Sequence, residues 1–235
     1  MKITASVITL SKNTKSSTGA REKRATGAQN EAPEWVDTAT AQRIIATLSY
    51  TQAVADVTVI CGGAGVGKTY AAQHYMAEGA HVWYSAMTPS TSGIVPSLEE
   101  VCTALSIPVC NGGAQLQRAI VRQLRVSGGL LIVDEAQHLT AAALDQFRCI
   151  YDASGVGIAL LGSREVYAKM SGGAEAAKLE RLRVRVGKCL QLSKIAKEDI
   201  TAFIDAWDVR EAKSRKTLTE IAGKPGGLRI LNRVL

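Results

Sequence analysis

The sequence has no apolar run approaching the roughly 20 residues that cross a membrane, and its start has no hydrophobic secretory stretch. A soluble, intracellular protein is expected. Paired cysteines are also missing: Cys61, Cys102, Cys110, Cys149 and Cys189 are odd in number and scattered, form no C-x-x-C unit, and have no histidine at zinc-ligand spacing. They read as small core hydrophobes rather than a disulfide framework or a metal site. His74 and His81 read as incidental, and His138 alone sits beside a motif. Internal repeats are absent. Acidic residues are scarce at the N-terminus, where residues 1–30 carry six basic residues and one acidic. Of the net charge of +7, +5 therefore lies in that stretch and +2 in the remainder. Residues 1–32 are expected to be a basic, disordered tail, since Ser, Thr, Lys and Gly bury too little apolar surface to order themselves. Weak binding of a polyanion, a solvated leader and a transit peptide all fit such a tail.

Beyond Pro33 the chain is long enough for one α/β domain and a smaller appendage. Thr38 or Thr40 can cap a helix reaching about Tyr50, with Ile44, Ile45 and Leu48 at helical spacing. The apolar runs Val57–Cys61, Leu130–Val133 and Val156–Leu161 do not alternate with polar residues. That pattern suits strands buried on both faces of a parallel sheet. Strands at His81–Ser85 and Lys188–Leu192 complete a set of five. Helices are expected over Tyr70–Glu78, Ser97–Leu105, Gln115–Arg125 and Thr140–Ala153. This alternation predicts a doubly wound α/β core over residues 33–193. From residue 194 to 235 the pattern is purely helical (Lys197–Trp207, Arg210–Ala222 and a segment from Gly227), expected as a small and incomplete lid.

The most informative segment is Gly62-Gly63-Ala64-Gly65-Val66-Gly67-Lys68-Thr69. Gly at the first and sixth positions, followed by Lys and a hydroxyl residue, is the pattern of a loop that wraps phosphate in backbone N–H groups. A strand precedes it and a helix beginning near Tyr70 follows, which aims a helix N-terminus at the anion. Lys68 is then expected to reach the β- and γ-phosphates of ATP, and the Thr69 hydroxyl to bind Mg²⁺. Such a loop needs a carboxylate at the end of a neighbouring strand, and Asp134 supplies it. Glu135, directly after it, can polarise a water for in-line attack, which favours hydrolysis over transfer to a small acceptor. Gln137 and His138 read as helix-entry or supporting residues. Ser163 ends the fourth strand as either a γ-phosphate sensor or a simple turn. Arg181, Arg183 and Arg185 alternate before the fifth strand, as a solvated face or as a source of an arginine finger. Arg229 begins a helix that could fold over the phosphates.

These residues resemble the AAA+ ATPases, and within them the Mu B and Tn7-type transposition regulators. The likeness rests on Glu34-Trp35-Val36-Asp37-Thr38, the phosphate loop, Val82-Trp83 with Thr88-Pro89-Ser90, Asp134-Glu135-Ala136-Gln137-His138-Leu139, Gly162-Ser163-Arg164-Glu165-Val166-Tyr167, and Lys224-Pro225-Gly226-Gly227-Leu228-Arg229-Ile230-Leu231-Asn232. It implies an ATP-dependent, non-sequence-specific DNA-binding ATPase of the bacterial or phage-infected cytoplasm. Such a protein assembles with itself as a helical filament on double-stranded DNA and activates a partner transposase. By the same resemblance Arg185 is the better finger candidate and Arg181 the next, while Arg229 matches a second sensor. Ser163 stands where the family carries an asparagine sensor. DNA contact would fall to Thr88, Ser90 and Thr91 in a polar loop and to Arg118, Arg122 and Arg125 on adjacent turns of one helix. The similar secretion-associated ATPases, for which DNA is not a partner, remain the alternative.

Overall fold

Val57–Gly62 (β1), Leu130–Asp134 (β3) and Gly157–Gly162 (β4) are buried at every position, as strands covered on both faces must be. The computed structural model describes residues 33, 35–172, 175–193, 195–224 and 226–235, so the expected tail lies outside the described residues. With Val82–Ala86 (β2) and Val186–Leu192 (β5), these strands form a five-stranded sheet in the order β2-β3-β4-β1-β5. Every pairing is parallel. One expectation is corrected by this order. The strand bearing Asp134 is not the direct neighbour of the phosphate-loop strand, because β4 lies between them.

Alternate residues of each strand feed two separate cores. Ile60, Leu130, Ile132, Ala159 and Leu161 pack beneath helices Ala39–Val54 (α1) and Lys68–Glu78 (α2). Val57, Val59, Cys61, Leu131, Val133, Ile158 and Leu160 pack on the opposite face. That face is covered by Ile94–Ala104 (α3), Gly113–Leu124 (α4), Ala141–Ser154 (α5), Arg164–Ser171 (α6) and Ala176–Arg183 (α7). Leu131 and Ile132 thus anchor different helical layers, and truncating either to alanine costs about 2–5 kcal/mol. Helices α6 and α7 were not expected from the sequence. Each offers only two buried apolar residues, Val166 and Met170 in α6 and Leu179 and Leu182 in α7, set among charged residues.

Three helices, Lys197–Ala206 (α8), Ala212–Ala222 (α9) and Gly227–Val234 (α10), close a small core of Ile200, Ile204, Leu218, Ala222 and Leu231. They form one compact unit with the sheet. A buried carboxylate joins the two parts. Asp199 of α8 accepts from the Thr40 main-chain N–H at 3.2 Å and from its hydroxyl. Those donors belong to the first turn of α1, whose N-terminal N–H groups have no partner within the helix. Thr38 caps the same turn by accepting from Ala41 N. Among the described residues no helix is long and apolar enough to cross a membrane.

Candidate active site

All five strands are parallel, so the chain leaves them along one edge of the sheet, and the chemistry-bearing residues gather there. β1 turns into the phosphate loop, where Gly65 (φ 78°) and Gly67 (φ 94°) adopt the left-handed backbone that favours glycine. Lys68 and Thr69 open α2 directly behind it. The Lys68 ammonium donates to the carbonyls of Gly62 and Gly63, both at 2.9 Å, and so closes the loop on itself. Burial lowers its pKa from the usual lysine value, Asp134 and Glu135 oppose that shift, and Arg229 adds to it. A phosphate entering the loop would supply the negative charge this ammonium lacks.

Asp134, 1% exposed, ends β3. One of its oxygens, Oδ2, accepts from the Thr69 hydroxyl at 2.6 Å and from the Tyr84 hydroxyl at 2.8 Å. Its Oδ1 accepts from the Glu135 main-chain N–H at 2.8 Å. The Tyr84 contribution was not anticipated: burial, together with Asp134, raises the phenol well above its ordinary pKa and keeps it a donor. Thr69 Oγ1 and Asp134 Oδ2 form a hard-oxygen pair of the kind that holds Mg²⁺ together with substrate phosphates. Glu135 follows in a left-handed conformation, φ 53°.

Lys68, Thr69 and Glu135 line a cavity of about 560 Å³. Its floor is the loop from Gly62 to Thr69, one wall is Glu135, Gln137 and Ser163, and the facing wall is Phe203, Leu228, Arg229 and Asn232 of the helical region. Pro33, Val36 and the half-exposed Tyr70 complete it. The segment leading into α1 is held by Trp35, whose ring stacks on His74 at 3.7 Å and on Tyr70 at 5.1 Å. His74 is therefore a packing partner, not incidental. The loop and the helical wall also touch directly, since the Gly65 carbonyl accepts from Leu228 N at 3.2 Å. A Cβ at Gly65 would overlap the Gly226 carbonyl.

Of the other expected site residues, Ser163 alone is part of the cavity lining. The Ser163 hydroxyl also caps α6 by accepting from Glu165 N at 3.3 Å. Arg181 lies in the last turn of α7. Arg185 follows that helix, pairing with Asp152 and donating to the Arg181 carbonyl at 2.8 Å. Thr88, Ser90 and Thr91 form a hydroxyl-linked turn after β2, with Thr88 N donating to Thr91 Oγ1 at 2.8 Å. Arg118 and Arg122 are exposed on α4. Arg125, the C-cap of α4, donates from Nη2 to the Ala153 carbonyl at 2.8 Å. Because α4 runs back towards the start of β3, its arginines descend away from the edge that carries the Thr88 turn.

Residues 52–170 match the model of an AAA domain, and residues 184–235 match that of the Mu B transposition protein, C terminal. The chain is 36% identical over 208 residues to the ATP-dependent target DNA activator B of Escherichia phage Mu, covering 87% of this chain and 66% of that protein. It is also 36% identical over 219 residues to the Mu-like prophage FluMu DNA transposition protein B of Haemophilus influenzae, covering 90% of this chain and 76% of that protein. The chain belongs to the Mu B family of AAA proteins. It spans about two thirds of the phage Mu relative's length. A solved Thermotoga maritima RuvB mutant overlays it with a TM-score of 0.49 at 16% identity, over 85% of this chain and 62% of that one. The AAA match spans β1–β4, and the segment matched to the C-terminal model comprises β5 and α8–α10. Of the two pathways the sequence left open, the FluMu relative and the C-terminal family are named for transposition.

Proposed function

We propose that the chain is a Mg²⁺-dependent ATPase that binds duplex DNA without sequence preference when loaded with ATP, assembles on it, and activates a partner transposase. The observation that carries this reading is one cavity onto which the phosphate loop, Glu135 and Arg229 converge, with Asp134 bonded to the Thr69 hydroxyl at its edge. The likeness to the Mu target DNA activator and the FluMu DNA transposition protein supports its DNA part.

In this reading the loop N–H groups and Lys68 hold the β- and γ-phosphates, which requires Lys68 to exchange its two carbonyl partners for phosphate oxygens. Thr69 and Asp134 would hold Mg²⁺, which supplies charge neutralisation at the transferring phosphoryl group. Glu135 accepts the proton of the attacking water. Ser163 orients the γ-phosphate or that water. Arg229 reaches over the phosphates from α10, and Tyr70 flanks the nucleotide. Arg185, or Arg181 beside it, reaches a neighbouring subunit's nucleotide in the assembled form, leaving Asp152 to do so. Thr88, Ser90, Thr91, Arg118 and Arg122 would contact DNA phosphates, which position the duplex without reading bases. Arg125 is the weaker member of that set because its guanidinium already caps α5.

The test is duplex binding at increasing salt with and without Mg-ATP. Binding that appears only with nucleotide and falls steeply with salt is expected, and Lys68→Ala should abolish it. ATP-independent or salt-insensitive binding overturns the proposal.

A further inference from the structure

Gln137 sits between the acid expected to activate water and the tip of the neighbouring strand, and its contacts fix which way its amide faces. The Ser163 main-chain N–H can only donate, so the atom that receives it at 2.9 Å must be the amide oxygen, Oε1. The amide nitrogen then faces Glu135 and donates to its Oε2. The main chain of Gln137 is fastened separately. Lys169, reaching across from α6, donates to the carbonyls of Gln137 at 2.7 Å and Leu139 at 2.9 Å. The last residue of β4, Gly162, completes the arrangement. A Cβ there would overlap Gln137 Oε1 and come within 2.7 Å of Val166 Cγ2. Gly162 is not among the positive-φ residues, so what its missing side chain provides is room for this amide rather than backbone freedom.

We propose that Gln137 is a positioning residue for ATP hydrolysis. Its amide ties the Glu135 carboxylate to the end of β4, so that base and sensor strand form one rigid frame. The inference rests on Glu135 being the water-activating base. Glu135 needs an outside support because it lies between β3 and the short helical turn Ala136–His138, in a left-handed conformation outside any regular element. With Oε2 held by Gln137, the carboxylate is fixed in orientation and still has lone pairs with which to accept from the attacking water. Ser163 and Glu135, which both line the cavity, are then spaced by one side chain. A carboxylate released from this bridge would swing through its rotamers, and misplacement by about 1 Å is enough to lower turnover about 100-fold.

The experiment compares steady-state ATP hydrolysis by the full chain and by Gln137→Met, which keeps the length and removes both hydrogen bonds. Gly162→Ala serves as a second perturbation that displaces the amide without changing it. Binding of a labelled non-hydrolysable ATP analogue reports that each variant has a folded site. The expected result is a kcat lower by roughly 10- to 100-fold, with KM and analogue affinity within about twofold of the parent. Combining Gln137→Met with Glu135→Gln should cause no further loss, because both act through one group. A parental kcat in either Gln137→Met or Gly162→Ala overturns the proposal, as does an undiminished Gln137→Met effect in the Glu135→Gln background. Glu135→Gln alone separates this inference from the one beneath it. Parental turnover there removes the base assignment and this proposal together, whereas slow turnover beside a fast Gln137→Met variant overturns only the role of Gln137.

Discussion

Replacing Asp199 with alanine is expected to loosen the helical wall of the cavity from the sheet. The Asp199 carboxylate is 1% exposed and accepts two hydrogen bonds from Thr40, itself buried at the positive end of α1. A hydrogen bond to a charged group contributes about 1.5–3 kcal/mol net, and the variant would leave the Thr40 N–H and hydroxyl buried without an acceptor. Taking the carboxylate out of water offsets part of this. A net loss of about 2–3 kcal/mol remains once that offset is set against the two hydrogen bonds. For a folded unit of this size each kcal/mol lowers the melting temperature by about 2–4 °C, so calorimetry should show a fall of roughly 4–12 °C. Asp199→Asn should lose less, because its carbonyl oxygen retains one of the two donors. Thr40→Val combined with Asp199→Ala should lose less than the sum of the single changes. Since Phe203, Leu228 and Arg229 belong to the same helical group as Asp199, nucleotide affinity should fall in parallel. An Asp199→Ala protein within about 0.5 kcal/mol of the parent would mean that desolvation cancels the bonds, and that this contact does not hold the two parts together.

Gly65→Ala should weaken nucleotide binding about tenfold by calorimetric titration, because the left-handed backbone costs about 1 kcal/mol for alanine and the new methyl group meets the Gly226 carbonyl. Unchanged affinity would show that the loop and α10 move apart freely. Arg185→Ala should leave thermal stability within about 1 kcal/mol, since its pair with Asp152 is partly exposed, and should bind ATP while losing DNA-stimulated hydrolysis. Stimulation equal to the parent would remove Arg185 as the finger and leave Arg181. Burial, reinforced by nearby Cys189, pushes the Cys61 thiol up to about 11. Cys61 therefore stays protonated at pH 7.5, and iodoacetamide should modify the exposed Cys189 first, as read by peptide mass spectrometry. The stabilisation from a neutral Cys61 is complete below the ordinary thiol value of 9.0 and fades as pH rises through about 11.

What could be read from the sequence was whatever has a local cause. The phosphate loop, the capping threonine of α1 and the unalternated strands each declare themselves within a few residues, and Asp134-Glu135 is marked by the apolar run before it. The insertion of β4 between β1 and β3 depends on pairing it with β1, about 100 residues earlier, as well as with β3, and leaves no trace in any one of these segments. The same holds for Asp199, which reads as an ordinary first-turn acid of α8 until α1 is laid beside it. Gln137 was noticed only as a neighbour of the acids, because its partner Ser163 lies 26 residues further on. Helices α6 and α7 escaped for a different reason. Their polar composition hides the two buried residues that hold each of them down. Spacing marks Arg181, Arg183 and Arg185 alike and only the family resemblance singles out Arg185, whose pairing with Asp152 is a product of the fold.

The contact between Gly65 and Leu228 makes the last helix a lever. Helix α10 has eight residues and is about 12 Å long, so a 5° tilt about Gly226 would move its far end by about 1 Å, from the helix rise alone. An adjustment of the loop that carried this amide with it would reach Val234, which is exposed. A neighbouring molecule resting there would register whether the pocket is filled without touching the nucleotide.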